Sequence, residues 1–247
     1  MKYFIGNWKM FGVPKSINIL NKINSFYTRD KNRNKYRVIM TPPFTLIENY
    51  AKYFKNKKIT IGSQNCYQKE QFSSNTAAVS PYMLKSVGAK YTLVGHSDNR
   101  AEGDNDAMLK DKVKYALNNN LKVVFCIGEN KSEKQKNKTF SVLKRQLTKV
   151  LEKKLNKNNI IVAYEPIWSI GTGKIPTQSE LKKTTIHIKK VLKNIFKKNS
   201  PAVLYGGSVD GSNVEIFKEI KEIDGFLIGG ASKSSKKFID IIKNYYR

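Results

Sequence analysis

The feature that most constrains the fold of this chain is a regular alternation of short β-branched runs with longer helix-like stretches. Strand-like runs occur near residues 3–8, 37–41, 59–63, 91–95, 121–127, 160–164, 202–206 and 225–229. The helix-like stretches between them are clearest at 15–27, 104–119, 139–155, 178–197 and 232–246, with shorter ones near 45–55, 80–87 and 212–220. This alternation, at a spacing of roughly 30 residues, predicts parallel strands joined by right-handed crossovers.

Eight such units close into a barrel more naturally than into an open sheet. The length of 247 residues matches one barrel of this kind, and no proline-rich or serine-rich linker divides the chain. We therefore expect an α/β protein, a single-domain eight-stranded parallel (β/α)8 barrel over residues 1–247. The alternative is a doubly wound open sheet, but no Gly-x-Gly-x-x-Gly motif follows the first strand.

The charge is strongly basic, with 46 Lys and Arg against 19 Asp and Glu and a formal net charge of +27. A nucleic-acid-binding protein concentrates its cations on one face, with arginines or aromatics placed for the bases. Here lysines are spread through nearly every helix-like stretch, often beside asparagine, which favours an A/T-biased coding sequence. The positive field still increases the rate at which an anionic substrate is encountered.

The sequence also bears on compartment and cofactors. No apolar run approaches the ~20 residues that span a bilayer, and the N-terminal residues 1–9 have a lysine where a secretory signal needs its apolar stretch. The two cysteines, Cys66 and Cys126, lie at or near strand ends without metal-ligand spacing. We expect free thiols, a cytoplasmic location, and no membrane or metal partner.

One segment, from Tyr164 to Lys174, indicates a catalytic loop. Glu165 follows the strand-like run 160–164, and the loop after it carries Pro166 and Pro176 near its ends, with two glycines between. Prolines restrain the ends, while the glycines allow close backbone approach to a ligand. This composition is typical of a lid that moves as one piece over a fixed base. A plain surface loop with a solvated Glu165 is the alternative.

Polar residues collect where several of the predicted strands end, which is where a parallel barrel carries its active site. These residues are Asn7 and Lys9, His96, Glu129 and Glu165, followed by the glycine pairs 206–207 and 229–230 with Ser208 and Ser232. Barrels commonly bind phosphate through backbone N–H groups after their last two strands. Two Gly-Gly turns at those positions indicate a phosphate site.

These segments resemble the triosephosphate isomerase family and follow its order from residue 3 to about 245. They are Gly6–Met10, Ser63–Asn65, Gly95–Ser97, Cys126–Glu129, Ala163–Trp168, Gly171–Lys174, Tyr205–Val209 and Asp224–Ser232. The resemblance implies a TIM barrel that interconverts D-glyceraldehyde 3-phosphate and dihydroxyacetone phosphate through an enediolate, without metal or organic cofactor. It also implies a role in glycolysis and gluconeogenesis.

The resemblance further implies a role for each site residue. Glu165 is the catalytic base, His96 the electrophile, and Lys9 with Asn7 holds and polarises the substrate. The backbone N–H groups that meet the phosphate come from Gly171, Ser208, Gly229 and Gly230. Asp98 is the supporting acid that helps to position Lys9 and His96. Trp168, Ile170 and Leu227 make the apolar contacts of the lid.

Two departures from the family pattern affect these expectations. After His96-Ser97 the family usually has Glu-Arg-Arg, whereas this chain has Asp98-Asn99-Arg100, so we expect a lower turnover. Residues 64–79 correspond to the loop that reaches into a partner subunit, and Ala78 stands where the family has a glutamate. Because that glutamate would face the arginine replaced by Asn99, both charges are missing together. We expect a homodimer with an altered interface.

Two other function classes remain open at this stage. One is a phosphate-binding barrel isomerase for a larger sugar phosphate, which a small site closed by the Glu165 lid disfavours. The other is a basic nucleic-acid-binding protein on a catalytically idle barrel, which Asn7, Lys9, His96 and Glu165 together disfavour. The expected partner is thus a small triose phosphate, with no nucleic acid.

Overall fold

The computed structural model describes residues 1–197 and 199–247, and its strands form a closed parallel barrel in sequence order. The barrel closes because β1 pairs with β8, Tyr3 lying opposite Gly225. The eight strands are β1 (Lys2–Asn7), β2 (Tyr36–Thr41), β3 (Thr60–Ser63), β4 (Tyr91–Val94), β5 (Lys122–Ile127), β6 (Ile160–Tyr164), β7 (Ala202–Tyr205) and β8 (Gly225–Ile228). The predicted barrel is confirmed, with strand bounds within two residues of those expected.

Helices surround the strands on the outside. They are α1 (Ile17–Arg29), α2 (Phe44–Tyr53), α3 (Pro81–Ser86), α4 (Ser97–Ala101), α5 (Asp106–Asn118), α6 (Lys131–Gln135), α7 (Thr139–Val150), α8 (Gln178–Phe196) and α9 (Ser235–Tyr246). Among the residues that the structure describes, no helix combines the length and the apolar character that a bilayer crossing requires.

Most of the strands are apolar on both faces because they contribute to two cores. One set of side chains fills the barrel interior, including Ile5, Ile39 and Leu93. The alternate set, including Phe4 and Val38, packs outward against the helices. Successive side chains of a strand point to opposite faces, so a parallel strand buried on both sides reads as a continuous apolar run.

Two predicted helices differ from the structure. The stretch 139–155 is helical only to Val150, since Leu151 has an extended backbone. The stretch 212–220 contains a four-residue 3-10 helix, Val214–Phe217, instead of an α-helix. Val214 and Phe217 are both buried, and their i,i+3 spacing lets a single tight turn place both side chains in the core.

The end of the predicted lid has a local cause in the sequence. Thr177 caps α8 by accepting a hydrogen bond from the Glu180 backbone N–H at 3.2 Å. In return, the Glu180 carboxylate accepts one from the Thr177 N–H at 2.8 Å. This reciprocal capping box fixes where the loop stops and the helix begins. It gives the segment after Glu165 a rigid C-terminal anchor.

Candidate active site

A cavity of about 480 Å³ opens at the carboxyl ends of the strands. Ten of the residues predicted from the sequence line it: Asn7, Lys9, His96, Glu165, Ile170, Gly171, Ser208, Leu227, Gly229 and Gly230. They come from five different strand ends, because parallel strands in one barrel all terminate at the same mouth. Asp98 lies in an adjoining cavity of about 390 Å³ that shares Lys9 and His96.

Glu165 lies directly after β6 and is 3% exposed. Its backbone N–H donates to the Ile127 carbonyl at 2.7 Å, which continues the ladder between β5 and β6. A Cβ atom at Gly206 would lie 2.7 Å from the Glu165 Cγ atom, so glycine at 206 makes room for the carboxylate. Burial raises the pKa of Glu165, while the nearby His96 and Lys9 oppose that shift.

His96 follows β4 and is 5% exposed. Its Nδ1 atom accepts a hydrogen bond from the Asp98 backbone N–H at 3.1 Å. A nitrogen that accepts from an amide carries no proton, so a neutral ring holds its proton on Nε2. The Nε2 atom lies 3.4 Å from Glu165 Oε1, which places a donor beside the carboxylate.

Lys9 has a backbone φ of 53°, a left-handed conformation uncommon for a residue with a side chain. Two hydrogen bonds hold it there: its N–H donates to Asn7 Oδ1 at 3.0 Å, and its carbonyl accepts from Gln64 Nε2 at 2.8 Å. The Lys9 ammonium is 3.0 Å from Asp98 Oδ2. The turn therefore aims the ammonium into the cavity mouth, where Asp98 holds it.

The first part of the lid is fixed by a buried carboxylate. Glu129 Oε1 accepts hydrogen bonds from the Trp168 indole N–H at 2.9 Å and from the Tyr164 hydroxyl at 3.1 Å. Burial raises the pKa of Glu129, and these two donors counter that shift. Trp168 does not line the cavity; its ring lies under the Lys134 ammonium at 3.6 Å, on the outer side of the lid. Glu129 thus orients the loop.

The far part of the lid is tied to the loop after β7. The Gly173 N–H donates to Ser208 Oγ at 3.2 Å, and that hydroxyl donates to the Ser169 carbonyl at 2.7 Å. Ser169 Oγ also lies 2.9 Å from the Tyr205 hydroxyl. The Ser208 hydroxyl joins two points of the lid to the glycine-rich end of the cavity.

Some residues that line the cavity were not expected from the sequence. These are Val209, Asp210, Lys233 and Lys237, which line the cavity together with the glycine pairs. Because lysine is abundant throughout this chain, residue type does not single out Lys233 and Lys237. Their positions shortly after the glycine pair 229–230 are the one feature of the sequence that could have identified them. Cys126 is fully buried, and burial raises the pKa of its thiol well above the usual range. This agrees with a packing residue rather than a nucleophile.

Comparisons with known proteins agree with this geometry. A sequence model of the family described as triosephosphate isomerase matches residues 2–245. The chain is 35% identical over 245 residues to triosephosphate isomerase of Thermodesulfovibrio yellowstonii and 36% identical over 248 residues to that of Saccharomyces cerevisiae. Each alignment covers 98% of this chain and 98% of the relative.

A solved structure gives the same result in three dimensions. The crystal structure of triosephosphate isomerase from Bartonella henselae superposes with a TM-score of 0.91 at 30% identity, covering 100% of this chain and 99% of that one. The family model and the relatives both extend over nearly the whole length of the chain. The chain therefore belongs to the triosephosphate isomerase family.

Proposed function

We propose that this chain is an isomerase that interconverts D-glyceraldehyde 3-phosphate and dihydroxyacetone phosphate in glycolysis and gluconeogenesis. One observation carries the proposal: a buried carboxylate, Glu165, lies 3.4 Å from the Nε2 atom of a buried histidine, His96, in a glycine-rich cavity. Moving a proton between adjacent carbons requires a base and an acid of this kind, within reach of one small substrate.

In the first half of the reaction, Glu165 removes the proton from the carbon next to the carbonyl. The electron pair moves onto the carbonyl oxygen, which His96 Nε2–H and the Lys9 ammonium stabilise as the enediolate forms. His96 Nε2–H then gives its proton to the former carbonyl oxygen and takes the hydroxyl proton of the neighbouring oxygen, and Glu165 returns its proton to the other carbon as the new carbonyl forms. Pairing a carboxylate base with a neutral histidine is the arrangement for which this family is itself the standard example.

Burial favours this chemistry in two ways. A carboxylate whose pKa is raised by desolvation is a stronger base towards a carbon-bound proton than a solvated one. Backbone N–H groups at Gly171, Ser208, Gly229 and Gly230 would bind the phosphate, and closure of the lid would exclude water from the enediolate. The mechanism requires no metal and no organic cofactor.

A coupled assay with D-glyceraldehyde 3-phosphate tests the proposal. Replacing the base with an isosteric amide, Glu165→Gln, is expected to lower kcat by roughly 10²- to 10⁴-fold, the range that general-base catalysis supplies. Glu48→Gln is the matched control, since Glu48 is an exposed carboxylate that pairs with Lys52 on the surface. An inactive wild type, or equal activity in wild type and Glu165→Gln, would refute the proposed function.

We further propose that the chain acts as a cytoplasmic homodimer joined through the loop 64–79. Large apolar side chains support this, because Phe72 in that loop is 75% exposed and Met10 beside the catalytic lysine is 98% exposed. Exposed apolar groups of this size favour a partner surface. The adjoining cavity of about 390 Å³, lined by Met10 and Asn99 among others, offers room for a loop of a second copy.

A further inference from the structure

The phosphate end of the active-site cavity carries an uneven set of charges. Lys9, Lys233 and Lys237 line the cavity as cations, whereas Glu165 and Asp210 line it as carboxylates. The Lys9 ammonium is already engaged by Asp98 at 3.0 Å. The glycine N–H groups that would meet a phosphate are dipoles and contribute no net charge. A substrate dianion at this end therefore depends on Lys233 and Lys237 for a balancing charge.

Lys237 differs from the adjacent Lys236 in how its charge is compensated. Lys236 and Lys237 both lie in the first turn of α9, where the helix dipole disfavours cations. Lys236 offsets this with an ion pair to Asp240 one turn later, at 2.7 Å. Within residues 1–197 and 199–247, Lys237 makes no ion pair closer than 4.0 Å. Its charge faces the cavity without a bound carboxylate.

Asp210 is the carboxylate nearest in effect to Lys237: the Ser212 hydroxyl first, and Lys237 to a smaller extent, lower the pKa of Asp210, although the described residues show no ion pair between the two side chains within 4.0 Å. Asp210 accepts hydrogen bonds from the Ser212 hydroxyl at 2.6 Å and from the Ser212 and Asn213 N–H groups at 2.8 and 3.1 Å. Those bonds turn its carboxylate towards its own loop. The Lys233 ammonium lies 5.4 Å from the centre of the Phe11 ring, on the Lys9 side of the mouth.

We propose that Lys237 is the positioning residue that captures the phosphate dianion of the substrate before the lid closes. This inference rests on the proposed function and adds a residue to it. Lys237 is exposed and sits on a helix, not on the lid, so its charge is available in the open site. A unit charge at this rim raises the encounter rate with a dianion, and salt screens the effect.

The test compares Lys237→Gln with Lys236→Gln, which remove the same charge from adjacent positions of one helix. We expect Lys237→Gln to lower kcat/KM for D-glyceraldehyde 3-phosphate about three- to tenfold at low ionic strength, mainly through KM. At ionic strengths of roughly 0.3 M or more the difference should shrink below about twofold. Lys236→Gln should stay within twofold of wild type, and Lys237→Arg should restore the lost activity.

Two further readouts separate capture of phosphate from a structural role. Turnover of D-glyceraldehyde, which lacks the phosphate, should be equal in wild type and Lys237→Gln. The inhibition constant of inorganic phosphate should rise in Lys237→Gln by the same factor as KM. Equal effects of the two glutamine variants, or an equal loss with D-glyceraldehyde, would overturn the proposal.

The inference and the proposed function fail in different ways. If wild type does not isomerise triose phosphate, the proposed function is wrong, yet direct titration with inorganic phosphate still compares Lys237→Gln and Lys236→Gln. If wild type is active but both variants bind phosphate as it does, the role of Lys237 is wrong and the function stands.

Discussion

Glu165 is a buried carboxyl group in the wall of the active-site cavity. Burial raises the pKa of its carboxyl, so the folded state disfavours the ionised form that the reaction needs. His96 and Lys9 recover part of that free energy. An active site of this kind is less stable than the fold around it could be, and removing the charge should relieve the conflict.

We predict that Glu165→Gln raises the melting temperature of the unliganded protein at pH 7, although it abolishes most activity. A rise of about 2–4 °C is expected, the shift that 1 kcal/mol produces in a chain of this size. The folded pKa lies above the unfolded one, so the ionised carboxylate destabilises the fold at pH values above the folded pKa. The penalty disappears as pH falls through the folded pKa towards the unfolded value.

Thermal unfolding of both proteins between pH 7 and about 4.5 checks this sign. The gap between Glu165→Gln and wild type should narrow as pH falls, because protonated Glu165 and glutamine are both neutral. A gap that widens on acidification would show that Glu165 stabilises the fold as an anion.

Asp98 is the supporting residue that departs from the family. Its carboxylate contacts Lys9 at 3.0 Å and lies 3.5 Å from His96 Nδ1, so the shorter side chain still reaches the lysine. It does so with the side chain 56% exposed, where solvent weakens the interaction. The expected lower turnover of this chain therefore stays a prediction with a defined geometry.

We predict that Asp98→Glu raises kcat a few-fold, since a longer carboxylate can hold Lys9 and the histidine turn without drawing them from the substrate. Asp98→Asn, which keeps the size but removes the charge, should lower kcat/KM about tenfold. Steady-state kinetics of the three proteins decide the matter. A glutamate variant that is slower than wild type or unchanged contradicts the idea.

At the scale of elements, the lid and the loop after β7 act together through one hydroxyl. Ser208 Oγ connects to Gly173 and to Ser169, whereas the role proposed for its backbone N–H is to bind the phosphate. Each such hydrogen bond stabilises the position of the lid by about 1 kcal/mol. The side chain and the backbone of Ser208 can therefore be separated by mutation.

We predict that Ser208→Ala lowers kcat/KM for the triose phosphate about tenfold, because two lid contacts are lost while the phosphate-facing N–H remains. Ser141→Ala is a suitable control, since the exposed Ser141 hydroxyl donates to the Lys138 carbonyl of its own helix turn at 2.8 Å. Steady-state assays of both variants provide the measurement. Equal kinetics for Ser208→Ala and the control would show that the hydroxyl does not govern lid closure.

At the scale of the whole molecule, the proposed dimer depends on burying exposed apolar side chains in an interface between two copies of the chain. Phe72 packs edge-on against Tyr82, with ring centroids 5.4 Å apart, and both rings remain substantially exposed. The charge pair expected at the interface is missing, since Ala78 and Asn99 replace both of its members. Apolar contact must then supply most of the association free energy.

We predict that light scattering at low micromolar concentration gives twice the mass of one chain. Phe72→Glu should shift the protein towards the monomer and lower its activity in parallel, because loop 64–79 lies beside the cavity that contains Lys9. Tyr53→Glu is a control, since Tyr53 is a similarly large aromatic, 45% exposed, at the opposite end of helix α2 from Phe44, which lines that cavity. A fully active monomeric wild type would overturn the proposed dimer.

Much of this architecture could be predicted from the chain alone, because its determinants are local. The β-branched runs and helix caps mark the elements, as Thr177 and Glu180 do for α8. The glycines at strand ends and the carboxylate Glu165 mark the catalytic edge, since parallel strands must end together. Resemblance to the family then supplied the role of each residue.

Other features depended on the tertiary structure. The tautomer of His96 follows from a hydrogen bond with the Asp98 N–H, and the choice of Lys237 over Lys236 follows from where one helix begins relative to the cavity. The raised pKa of Glu165 depends on its burial, and it is opposed by His96 and Lys9, two residues that are distant from Glu165 in the sequence. Such properties arise from non-local packing and electrostatics, and they exist only after the barrel has closed.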